Sequence, residues 1–193
     1  MESPRGKLLI QMSGAPGSGK STTAKMLANS IEKTLVIDHD LLRSFLLENS
    51  LPFEQSAKLA YNLGWTLAED MIKQGYNVIM DSTCNFQEIL DNGAALAVKY
   101  GYVYRYVECK ADDIDLLDRR LSSREPLRSQ RKGVNRPPLD ASSEPGSEEA
   151  SRALFRKWID EPCRPLSGAI IVDSTQPPQE WLDSILKRVT AAQ

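Results

Sequence analysis

At 193 residues, with 24 Lys and Arg against 26 Asp and Glu, the chain has a formal net charge of −2 and the length of one domain, 1–193, with room for an inserted lid. That balance gives no global field to draw it to nucleic acid or a membrane surface. No apolar run approaches the ~20 residues of a bilayer span, and Leu8-Leu9-Ile10 is too short for a secretion signal. Cys84, Cys109 and Cys163 form no Cys-x-x-Cys pair and leave an odd one over, which fits reduced thiols in a cytoplasmic protein.

The first expected strand, residues 7–12, runs directly into Gly14-Ala15-Pro16-Gly17-Ser18-Gly19-Lys20-Ser21, followed by Thr22. This is a complete G-x-x-x-x-G-K-[ST] phosphate loop, a pattern that chance produces in on the order of 1% of chains this long. Glycines let backbone N–H groups turn inward onto a phosphate, Lys20 adds a point charge, and Ser21 offers a hydroxyl to Mg²⁺. Ala24, Leu27, Ala28 and Ile31 then recur at helical spacing, so a helix follows with its positive end toward the phosphates. Nucleotide binding is the strongest implication of the sequence.

A second strand at 34–38 ends in Asp38-His39-Asp40, with Arg43 one turn into a helix. Strand ends of a parallel sheet face its ligand cleft. There Asp40 is placed to take a proton from an acceptor hydroxyl and Arg43 to hold the transferred group, although either Asp38 or Asp40 would also serve as a helix cap. His39, a lone histidine between two aspartates, reads as a turn residue. Leu59, Leu63, Leu67 and Met71 form a second apolar stripe, expected to pack in the core, with Gly75 as its C-terminal stop. The third strand, 77–81, ends in Asp81-Ser82-Thr83, the pattern of a carboxylate that steadies Mg²⁺.

After a fourth strand at 102–108, Ile114, Leu117 and Leu121 anchor a helix that carries Arg120 and Arg124 on one side. From 119 to 136 seven basic residues (Arg119, Arg120, Arg124, Arg128, Arg131, Lys132, Arg136) face one acid, Glu125, which suggests a lid that closes on an anion. Residues 140–149 turn acidic and rich in Ser, Pro and Gly, a composition expected on a mobile surface, so lid and insert together span about 119–150. A fifth strand at 168–173 and a stripe of Trp181, Ile185 and Val189 close the pattern. Strands alternating with helices predict a parallel sheet covered on both faces.

In these motifs the chain resembles the small P-loop kinases grouped with phage polynucleotide kinase, chloramphenicol phosphotransferase and the zeta toxins. The resemblance rests on Gly14–Ser21, on Asp40-Leu-Leu-Arg43, on Gly75-Tyr-Asn-Val-Ile-Met-Asp81-Ser-Thr83 and on Arg120-Leu-Ser-Ser-Arg124, and it covers roughly residues 7–125. It implies a three-layer α/β fold with a five-stranded sheet of order 2-3-1-4-5 and a lid. It also implies ATP and Mg²⁺ as cofactors. Residues 14–22, Arg120 and Arg124 would bind nucleotide, Ser21 and Asp81 the metal, and Asp40, Lys20, Arg43 and Arg124 would carry the chemistry. Many relatives have an arginine just beyond Asp-x-Thr, where this chain has Phe86-Gln87-Glu88-Ile89. The reading is an ATP-dependent kinase acting on a hydroxyl of a small molecule. A 5′-hydroxyl nucleic-acid or nucleotide kinase is the runner-up, and an ATP-binding regulator the non-enzymatic alternative. Nothing in the sequence names the acceptor or the oligomeric state.

Overall fold

The structure is a computed structural model that describes residues 6–141 and 147–191. Five strands, β1 (Leu8–Ser13), β2 (Thr34–Asp38), β3 (Asn77–Asp81), β4 (Val103–Lys110) and β5 (Ala169–Asp173), form one sheet. Its order is β2-β3-β1-β4-β5, and every pairing is parallel. The helices are α1 (Lys20–Ser30), α2 (His39–Glu48), α3 (Phe53–Lys73), α4 (Gln87–Tyr100), α5 (Ile114–Ser122), α6 (Glu148–Asp160) and α7 (Pro178–Thr190). This is the three-layer α/β fold of the P-loop kinases, with the strand order that the resemblance implies.

β1 is central and wholly buried, which is why it reads as an unbroken apolar run rather than an alternating one. On one face, Ile10 and Met12 pack with Ala24 and Leu27 of α1 and with Ile185 and Val189 of α7, so the first and last apolar stripes lie in the core as expected. The other face joins Leu9 and Val78 to Ala68 and Ile72 of α3.

The stripe on α3 is displaced from its expected position. Leu59 and Leu63 are 43% and 38% exposed, and only Leu67 and Met71 pack against the core. The buried line is Ser56, Ala60, Gly64, Ala68 and Ile72, one residue over. Small side chains let α3 lie close to the sheet. A Cβ on Gly64 would already stand 3.5 Å from Met80 Cε and 3.6 Å from Ile37 Cγ2. The helix ends as its sequence suggests, with Gly75 at φ 86° donating its N–H to the Ile72 carbonyl.

The basic segment is more deeply built in than its composition suggests. Ser129, Arg131 and Val134 are buried, and Val134 joins Leu117, Leu121 and Phe155 in a separate core beneath the lid. Sequence periodicity does not announce α6, whose Ser151, Phe155 and Ile159 supply one wall of that core. Arg131 lies between the Phe155 and Trp158 rings, 5.3 and 5.7 Å from their centroids, and donates to the Val134 carbonyl at 2.6 Å. Of the acidic insert, residues 142–146 lie outside the described residues, while Ser147 caps α6 through a bond from the Ala150 N–H. All three cysteines are free thiols. Among the described residues, no helix is long and apolar enough to cross a membrane.

Candidate active site

The phosphate loop joins β1 to α1. Gly14 has φ 130°, and a Cβ there would stand 2.3 Å from the Cys109 carbonyl oxygen at the end of β4. No other residue lets the loop leave the sheet so close to its neighbour. Gly19 precedes α1 at φ 94°, and a Cβ on it would meet nothing within 4 Å, so this face of the loop is open to a ligand. The α1 terminus carries no side-chain cap. Its free N–H groups and positive dipole end are what a phosphate needs. Lys20 donates Nζ to the Gly14 and Ala15 carbonyls at 2.9 and 3.2 Å, and burial lowers its pKa.

Facing this loop across a cleft of about 670 Å³ are the ends of β2 and β3, where Asp38 and Asp81 are paired in register. The sequence leaves the capping aspartate open; the backbone decides it. Asp38 Oδ1 accepts from the N–H groups of Asp40 and Leu41 at 2.9 and 3.1 Å, so Asp38 is the N-cap of α2. Asp40 is thereby released from capping and lines the cleft. Its charge acts on Lys20, His39, Asp81 and Arg124 alike, which places it at the electrostatic centre of the site. Arg43 lines the same wall, but its Nη2 donates to the Phe53 carbonyl at 3.1 Å and its guanidinium lies 3.8 Å over the Phe53 ring.

Asp81 is 4% exposed, and burial pushes its carboxyl up to about 6 against the lowering effects of the Ser21 hydroxyl and Lys20. Its Oδ2 is buried with no hydrogen-bond partner. A hydroxyl and an orphaned carboxylate oxygen at the phosphate loop suit Mg²⁺, which takes few protein ligands and completes its octahedron with phosphate oxygens and water. The described residues hold no cluster of three or more His, Cys, Asp or Glu that would bind a metal unaided. Ser21 and Asp81 therefore fit an ion that arrives with the nucleotide.

The lid contributes fewer cations than its charge count suggests. Arg120, Arg124 and Arg131 line the cleft, and Arg120 Nη2 donates to the Ser174 carbonyl at 2.8 Å beyond β5. Arg128 instead forms a two-bond pair with Asp140 at 2.8 and 3.0 Å, Arg119 lies 3.8 Å from Asp113, and Arg136 binds the Ser122 hydroxyl. Local composition cannot distinguish an arginine that faces a cleft from one that finds an acid twelve residues away. The sequence reading also passes over Gln130, whose Nε2 donates to Asp40 Oδ2 at 2.8 Å, and over the cleft-lining rings of Phe53, Tyr61, Phe86 and Trp181.

A glycine loop on the central strand, a helix terminus behind it and two strand-end carboxylates across the cleft define a P-loop nucleotide-binding site on a kinase fold. The chain belongs to the AAA domain family, whose pattern matches residues 9–143. No curated protein matches it. Solved structures do. A candidate kinase from Chloroflexus aurantiacus is 21% identical with a TM-score of 0.73, over 97% of this chain and 100% of that one. The APS kinase CysC of Mycobacterium tuberculosis, in complex with AMPPNP and APS, is 17% identical with a TM-score of 0.61, over 98% and 100%. A sugar kinase from Janibacter sp. HTCC2649 is 14% identical with a TM-score of 0.60, over 97% and 99%. At these identities the likeness is one of fold.

Proposed function

We propose that the protein is an ATP-dependent kinase that transfers the γ-phosphoryl group of ATP to a hydroxyl of a small acceptor, with Asp40 as general base. The observation that carries this reading is the division of labour between the two aspartates. Asp38 satisfies the helix terminus, and Asp40, relieved of that duty, lies in the cleft with Lys20, Asp81 and Arg124. A nucleotide-binding regulator has no use for a carboxylate opposite its phosphates.

In this reading the Gly14–Ser21 backbone and Lys20 hold the β- and γ-phosphates. Ser21 and Asp81 hold Mg²⁺, which when bound offsets charge between those phosphates. Asp40 accepts the proton of the acceptor hydroxyl, and Arg120 and Arg124 cover the nucleotide from the lid. Excluding water matters here because an acceptor hydroxyl competes with water for the same phosphorus. The small-acceptor reading gains over the polynucleotide one because Arg119, Arg128 and Arg136 are spent on Asp113, Asp140 and Ser122, leaving no continuous basic track from these residues into the cleft.

The test is transfer of label from γ-labelled ATP to pooled sugars, nucleosides, antibiotics and 5′-hydroxyl oligonucleotides, with Asp40→Asn as control. Label in a small acceptor, lost in the control, supports the reading. Nucleotide binding with no transfer to any pool member favours the regulator, and label confined to oligonucleotides favours the polynucleotide kinase.

A further inference from the structure

The acceptor half of the cleft is walled by rings. His39 opens α2, Phe53 and Tyr61 lie about two turns apart on α3, and Phe86 immediately precedes α4. His39 and Tyr61 already stack, with centroids 3.9 Å apart and planes inclined by 30°. The Tyr61 hydroxyl donates to the Thr83 carbonyl at 3.2 Å, which fixes that ring in place. Phe86 stands 63% exposed at the cleft, and a large aromatic side chain in that position gains by being covered with apolar surface.

Charge on this wall is arranged against an anionic acceptor. The Arg43 guanidinium donates Nη2 to the Phe53 carbonyl at 3.1 Å and Nε to Ser56 Oγ at 3.3 Å, and stacks on the Phe53 ring. These bonds draw it into its own wall. Burial holds His39 near pKa 4, so it presents a neutral ring at pH 7. Asp40 adds a negative charge to the same wall. Lys20, Arg120 and Arg124 stand among the phosphate loop and the lid, where a triphosphate uses them.

We propose that the acceptor is a small, uncharged, hydroxyl-bearing compound with a flat aromatic ring, which lies against Phe86 and the His39–Tyr61 pair. The inference rests on the kinase reading. In the transfer, the acceptor oxygen bonds to the γ-phosphorus while the bond from that phosphorus to the β–γ bridging oxygen breaks. The electron pair leaves with ADP, and the hydroxyl proton passes to Asp40.

Two measurements on the full chain separate this inference from the reading beneath it. Saturation-transfer NMR, with Mg²⁺ and AMPPNP present, follows binding of three matched sets of alcohols: neutral aromatic, neutral without a ring, and phosphate- or sulfate-bearing. Transfer from labelled ATP is followed on the same sets. Neutral aromatic alcohols are expected to bind and accept phosphate with KM at least tenfold below that of the ring-free set. Phe86→Ala should raise that KM at least tenfold and Phe86→Leu by less, with nucleotide affinity by calorimetry unchanged in both. Transfer favouring ring-free or anionic acceptors, or a Phe86→Ala variant of unchanged KM, overturns the aromatic acceptor and leaves the kinase reading standing. Aromatic alcohols that bind through Phe86 but accept no phosphate remove the kinase reading, and the acceptor assignment with it. Failure of every set to bind or react overturns both.

Discussion

Gln130 donates its side-chain amide to Asp40 Oδ2 at 2.8 Å, so a residue of the lid segment holds the carboxylate proposed as base on α2. The contact is reinforced one residue earlier. Ser129 donates its hydroxyl to the Asp40 carbonyl at 2.9 Å and its N–H to Ser44 Oγ at 3.0 Å. Gln130→Ala should lower kcat by roughly 10–100-fold, the scale of a misplaced catalytic group, with KM for ATP nearly unchanged. Gln130→Glu, which sets a second carboxylate against the first, should be worse. Steady-state kinetics with ATP varied at saturating acceptor reads the split. Equal loss in kcat and ATP affinity would mean that Gln130 serves lid structure rather than the base.

Asp38 and Asp40 should separate cleanly in mutants. Asp38→Ala removes a cap that serves two N–H groups and should cost about 1 kcal/mol of stability, with transfer preserved in the folded fraction. Asp40→Asn should leave stability near normal and slow transfer by roughly 10²–10⁴-fold. Urea denaturation beside single-turnover rates distinguishes them. A dead Asp38→Ala enzyme that is fully folded would reassign the base.

Lys20→Ala should abolish ATP binding. The lysine Nζ contacts the Gly14 and Ala15 carbonyls of its own loop, so the loop loses two bonds but the strands and helices around it lose none. Calorimetric titration with MgATP checks this, with circular dichroism confirming the fold. Retained affinity would rule out the phosphate-loop assignment.

His39 supplies a pH signature. Burial is the main reason its pKa falls from 6.5 to about 4; Arg43 lowers it further and Asp40 opposes the fall, while Tyr61 covers one ring face. A histidine with a depressed folded-state pKa contributes stability that is whole above its unfolded value and is lost as pH drops through the folded one. Stability should therefore decline between pH 6.5 and 4 by up to about 3 kcal/mol on this account. In His39→Phe, which keeps a ring on Tyr61, that part of the decline should vanish. Urea midpoints at several pH values measure it, and an unchanged slope in the variant would assign the acid sensitivity elsewhere.

Amide exchange should divide the lid in two. Residues 129–134 include buried Ser129, Arg131 and Val134 and should exchange slowly without ligand, whereas 122–125, exposed beyond the end of α5, should exchange fast and slow down when nucleotide and Mg²⁺ bind. Uniformly fast exchange across 119–136 would mean that the core beneath the lid is not formed in solution.

These outcomes track what the sequence could reveal. The phosphate loop is legible because its geometry is local: eight consecutive residues contain the glycines, the lysine and the hydroxyl. The five strands are legible because a sheet buried on both faces leaves unbroken apolar runs. The buried face of α3 lies one residue from its expected place because hydrophobicity marks Leu59 and Leu63, while close approach to the sheet selects Ala60, Gly64 and Ala68. Arg131 reads as lid charge yet lies between two rings of α6, a partner more than twenty residues downstream. Asp38 and Asp40 are chemically equal in the sequence, and only the path of the backbone at the start of α2 tells the cap from the cleft residue. Gln130 could not be found by motif at all, since a glutamine announces nothing until its neighbour is known.

The strand order β2-β3-β1-β4-β5 has a consequence for how such a protein diversifies. Everything before Gly101 that reaches the cleft, apart from the phosphate loop, comes from the β2 and β3 side and bears on the acceptor. Cleft residues beyond Gly101 come mainly from the β4 and β5 side and bear on the nucleotide. Recognition of the two substrates is thus written in successive stretches of the gene, so one can drift or be exchanged while the other is conserved. The seam is crossed at Ser129 and Gln130, which bind α2 from the far half. A chimera joined near Gly101 would have to match its parents there, at the point where two otherwise separate inheritances must agree.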